Sequence, residues 1–72
     1  MNTFQIRPYT KRALAQLYFP ESHPRTAVNH LMSWIRRCTH LHEQLKATGY
    51  TTTDKVFTPR HVSLIIDYLG EP

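Results

Sequence analysis

PRTAVNHLMSWIRRC, running from Pro24 to Cys38, is the stretch whose reading decides the fold. Laid out at about 100° per residue, Ala27, Val28, Leu31, Met32, Trp34, Ile35 and Cys38 fall in one arc of roughly 160°. Arg25, Thr26, Asn29, His30, Ser33, Arg36 and Arg37 fill the opposite arc, and no residue is misplaced. Such separation predicts an amphipathic helix with its apolar stripe in the core, Trp34 included. The outward face holds three arginines, hydrogen-bonding side chains and no carboxylate. A polyanion suits that chemistry.

The rest of the chain bounds what surrounds this helix. Its 72 residues make one domain, residues 1–72, near the size at which a single core barely suffices. With 40% hydrophobic residues the chain is too apolar for disorder, and no apolar run reaches the roughly 18 residues of a membrane span. The start, MNTFQIRPYTKR, has no signal-peptide h-region, and the single cysteine allows no intramolecular disulfide. A soluble, cytoplasmic chain without membrane association is expected. The net charge of +4 is unevenly spread: up to Lys46, seven Lys/Arg face only Glu21 and Glu43, whereas from Ala47 onward Lys55 and Arg60 face Asp54, Asp67 and Glu71. That asymmetry is the footprint expected of a nucleic-acid binder, although a merely solvating surface has the same composition.

Outward from the central helix, Thr3 to Arg7 alternates Phe4 and Ile6 with polar residues, as a short strand or extended arm does. Thr10 is placed to cap a helix from Lys11 to about Tyr18, with Leu14, Ala15, Leu17 and Tyr18 toward one side and Arg12 and Gln16 outward. Phe19-Pro20 ends it. The connector Pro20 to His23 offers Ser22 or His23 as the next cap, and Pro24 suits a first helical turn. Two helices so joined outline a helix-turn-helix. Thr39 is expected to cap a third helix from His40 to Thr48, with Leu41 and Leu45 inward and Gly49 as the left-handed terminator. Tyr50 would pack back on Leu45. Thr51 to Thr53 and Lys55 to Phe57 flank Asp54 as the arms of a small β-hairpin. Thr58-Pro59 opens a last helix to Leu69, closed by Gly70. Its apolar residues spread over about 200°, more than one-sided packing needs, so the remainder of the core or a second copy must cover the excess. A homodimer through 59–69 is the corresponding expectation. The predicted architecture is mainly α, three to four helices with a helix-turn-helix and a small β-hairpin, winged-helix-like.

The chemistry follows from these placements. In a major groove, Arg25 and Arg37 would pair with guanine or phosphate, Asn29 with adenine, and Thr26, His30 and Ser33 with bases or backbone. Arg36 shares that face. The early-turn residues Arg25, Thr26 and Asn29 are the expected base readers. Lys11 and Arg12 at the start of the first helix would lie by a phosphate strand, and Lys55 on the hairpin would add a wing contact, unless it only solubilises an edge. His40 and His42 after Cys38 would point apart on a helix and lack the spacing of structural zinc ligands. The five acids are scattered, Cys38 faces inward, and two glycines make no phosphate loop, so neither an enzyme nor a cofactor is expected.

IRPYTKRALAQLYFP, PRTAVNHLMSWIRRC, LKATGY and KVFTPRHVSLIIDYLGEP together resemble a bacterial family of short uncharacterised proteins, domain of unknown function family 4248, over nearly the whole chain. That resemblance implies no activity. A weaker likeness is to the DNA-binding domains of MerR-type regulators and phage excisionases. It implies a first helix near Thr10-Lys11 with Leu14-Ala15, a recognition helix from Arg25 to Arg37 with Trp34, and a wing from Gly49-Tyr50 through Phe57-Thr58-Pro59. The segment His40 to Thr48 departs from that pattern. The leading expectation is therefore a small double-stranded-DNA-binding protein, a transcriptional regulator or an excisionase-like accessory factor. Its rivals are an adaptor docking an acidic protein partner and an RNA binder, which share every charge argument. The nucleic-acid reading requires the acid-free face to stay open to solvent; were it covered, a scaffold or adaptor role would take its place.

Overall fold

The computed structural model describes residues 4–51 and 53–72. A two-residue strand, β1 (Tyr9–Thr10), leads directly into helix α1 (Lys11–Tyr18), and the Thr10 side chain accepts the Ala13 amide at 3.0 Å as the cap. Phe19, with its amide on the Ala15 carbonyl, ends that helix before Pro20. Helix α2 (Pro24–Arg37) starts behind His23, whose Nδ1 accepts the Arg25 amide at 3.3 Å. Helix α3 (Thr39–Ala47) follows almost without pause. The His42 amide bonds to the Cys38 carbonyl, so Cys38 is the boundary residue and Thr39, expected as the cap, is already helical. Gly49 at φ +90° turns the chain out of α3, as its position past the last periodic residue predicts.

The four helices and the small antiparallel sheet agree with the fold class expected from sequence, but the sheet's partners differ. Strand β2 (Val56–Phe57) pairs with β1, Tyr9 opposite Phe57 and Thr10 opposite Val56. Thr51 and Thr53 belong to no strand, and Thr52 lies outside the described residues. Asp54 closes this segment on itself: its amide bonds to the Thr51 carbonyl and its carboxylate accepts the Thr51 amide at 3.1 Å. Thr51 is thus bonded to Asp54 instead of to a second strand, and Phe57 pairs with the other end of the domain.

The expected arm before β1 is likewise not a strand. Thr3 is outside the described residues; Phe4 stacks on Tyr9 at 5.4 Å between ring centroids, while Ile6 is 50% exposed. The Gln5 carbonyl accepts the Tyr9 hydroxyl, which folds the segment over that ring. Every element contributes to one core: Leu14 and Ala15 from α1, Ala27, Leu31 and Ile35 from α2, Leu41 and Leu45 from α3, and Phe57 from β2. Helix α4 (Pro59–Leu69) adds Val62 and Ile65, with Leu64, Ile66 and Leu69 packed partly buried around them. Most of the wide apolar arc of α4 is therefore satisfied within the chain. Tyr68 is the part left exposed, at 44%.

Candidate nucleic-acid interface

Helix α2 is the longest element, and α1 packs against it along the joined pair Lys11–Tyr18 and Pro24–Arg37. Burial of Ala27, Leu31 and Ile35 fixes its rotation, which turns Arg25, Thr26, Asn29, His30, Arg36 and Arg37 to solvent. Ser33, between them, is half-buried. The outward face is thus neither roofed by α3 nor neutralised: Arg25, Arg36 and Arg37 form no ion pair with another described residue. Arg36 and Arg37 also occupy the last turn, where the carbonyl end of the helix favours cations. His30 is held edge-on to the Phe19 ring at 5.3 Å.

A second basic group lies beside the Val28 edge of α2. Thr10, Lys11, Arg12, Val28 and Lys55 line an open cleft of about 440 Å³, and the hydrogen bond from the Lys11 amide to the Lys55 carbonyl at 2.9 Å holds its two sides together. Arg12 and Lys55 are exposed there. Val28 is the helical neighbour of Arg25 at i+3, so the cleft continues the basic face rather than standing apart from it.

Lys11 corrects the expectation of a phosphate contact. It is only 9% exposed, and its ammonium lies 4.9 Å from the Tyr50 ring centroid and 5.8 Å from that of Phe57. Burial lowers its pKa, and the nearby Asp54 carboxylate offsets part of that effect. The cation is spent on the aromatic interior. The same burial, with a smaller push from Asp54, raises the Tyr50 phenol to about 12.

Trp34 is the second correction. Expected in the core, it is 41% exposed at the edge of the α2 face. Phe19 meets it edge-on at 4.8 Å and Tyr18 at 6.2 Å. The cause is length: α1 has eight residues against fourteen in α2 and ends at Tyr18, so its last residues border the indole without roofing it. The sequence signal for this was the position of Trp34 at the margin of the apolar arc, beside an aromatic pair that terminates a short helix. Among the described residues no cluster of three His, Cys, Asp or Glu side chains is placed to hold a metal, and no helix is long and apolar enough to cross a membrane.

The chain matches the model of the domain of unknown function DUF4248 over residues 5–72. It belongs to that family. No match is found among curated proteins or solved structures. In this DUF4248 chain the matched region takes in both basic groups and the aromatic edge between Tyr18 and Trp34.

Proposed function

We propose that the protein binds double-stranded DNA, with α2 laid in the major groove as the second helix of a helix-turn-helix. One observation carries the reading: the six side chains Arg25, Thr26, Asn29, His30, Arg36 and Arg37 are all exposed on one face without a carboxylate among them. Arg25, Thr26 and Asn29, in the first turns, are the base readers of this proposal, and Arg36 and Arg37 bind phosphate. Arg12 and Lys55, at the cleft beside Val28, extend the phosphate track. A single helix reads few base pairs, so useful specificity requires a second copy or partner. The exposure of Tyr68 on α4 supports a second copy docking there. A regulator of transcription or an accessory factor of recombination fits such a module.

The test is a mobility shift on mixed genomic DNA over a salt series. Affinity is expected to fall linearly on a log–log plot, and the double variant Arg25→Ala/Arg37→Ala is expected to weaken binding and to reduce the slope by about one, from the lost phosphate contact of Arg37. Unchanged binding by that variant, with its helical signal intact, would move the site off α2. Tighter binding to RNA or to an acidic polypeptide than to duplex DNA would replace the proposal.

A further inference from the structure

The indole of Trp34 stands where an apolar side chain has little reason to remain open: on the margin of a basic face. It makes tilted ring contacts with Phe19 at 4.8 Å and Tyr18 at 6.2 Å between centroids, with interplanar angles of 63° and 77°. Tyr18 is itself tied down, its hydroxyl donating to the Gly70 carbonyl at 2.5 Å beyond the end of α4. Two aromatic neighbours, one of them tied to the chain beyond α4, restrict the orientation of the indole plane. Along α2, the residues adjacent to Trp34 on the surface are His30 one turn before and Arg37 one turn after, both exposed. An indole held by two aromatic contacts, 41% exposed and flanked by two cationic or hydrogen-bonding side chains, matches a planar base attached to a phosphate. It matches an apolar protein ridge less well, because that would bring His30 and Arg37 against apolar surface.

We infer that Trp34 is a stacking platform for an unpaired base, with Arg37 on the neighbouring phosphate, so that the preferred ligand is a duplex carrying a single-stranded junction or extruded nucleotide. This rests on the reading of α2 as the nucleic-acid face and names the substrate class of that face. Stacking of a base on an aromatic side chain tolerates any sequence and strengthens binding by about tenfold or more per base.

Trp34 is the only tryptophan, so its emission reports the site directly. Three probes are titrated into the intact protein: a blunt duplex, the same duplex with a thymine overhang, and the overhang strand alone. Anisotropy of a labelled strand reports binding and indole emission reports stacking. The overhang duplex is expected to bind about tenfold tighter than the blunt one and to quench Trp34, while the blunt duplex binds with little quenching. Trp34→Leu is expected to bring the two duplexes to equal affinity while keeping blunt-duplex binding; Trp34→Phe retains part of the preference. Equal affinity of wild-type protein for both duplexes, without quenching, overturns the platform and leaves the duplex-binding proposal standing. Equal quenching by both duplexes also overturns it. Binding to none of the three overturns both, and quenching by polyglutamate, titrated as a control, with none by the three nucleic-acid probes overturns the platform and assigns the patch to an acidic protein partner.

Discussion

His61 is the side chain whose chemical state the structure fixes most completely. Its Nδ1 accepts the Thr58 amide at 3.3 Å, so that nitrogen carries no proton. Its Nε2 lies 2.7 Å from the Thr48 hydroxyl, which already donates to the Leu45 carbonyl, so Nε2 carries the hydrogen. The ring is buried edge-on to Tyr50 and Phe57, and burial lowers its pKa from 6.5, the pull of Asp54 notwithstanding. A proton on Nδ1 would confront the Thr58 N–H. As pH falls below about 6.5 the unfolded chain takes up this proton before the folded one does, so stability is full above that pH and declines on acidification. Thermal melts stepped from about pH 7 to 5 are expected to show a falling midpoint, with a shallower slope in His61→Gln; a wild-type midpoint flat over that range contradicts the assignment. Nothing in the periodicity singled out His61, because its role depends on Thr48 across a loop. The placements of Trp34 and Lys11 escape the sequence for a related reason: residue type and helical phase specify direction, not what stands opposite.

Among the elements, the helices were legible because their signals are local. Thr10, His23 and Thr58 cap the helices they precede, and Pro24 and Pro59 occupy first turns. At Thr58 the reciprocal box is completed by His61 instead of the usual Glu or Gln, which hid it from sequence. Thr58→Ala is expected to cost about 1 kcal/mol in urea unfolding. Gly49→Ala is expected to cost about 1 kcal/mol as well, purely through its positive φ, since an added Cβ would meet nothing within 4 Å. Equal stability of either variant and wild type would count against that local account. The sheet was illegible in its pairing. Val56 and Phe57 were read as a strand with the right composition, but the choice between a local arm and Tyr9–Thr10 is decided by the Asp54 turn and by space in the core. The candidate face, by contrast, was readable from one helix alone: its apolar stripe dictates which side is left over.

For the molecule as a whole, the division of labour is plain. Burial is shared by all four helices, while Arg12, Arg25, Arg36, Arg37 and Lys55, most of the exposed cations, lie on α2 or the cleft beside it and Arg7, Lys46 and Arg60 lie elsewhere. The proposed interface is therefore carried by side chains that the core does not need, and its arginines can be removed without unfolding the domain. The β1–β2 pairing has a different consequence. Because the Lys11 amide is bonded to the Lys55 carbonyl, the start of the first helix is clasped to the segment that introduces the last. The β1–α1 and β2–α4 segments cannot separate without opening this clasp, so in deuterium exchange the Lys11 amide should be protected up to the free energy of global unfolding. Amides near the Thr51 to Asp54 turn should exchange far earlier. A fast-exchanging Lys11 amide would mean that the two ends come apart independently. Slow exchange would make the domain a single cooperative unit despite its size.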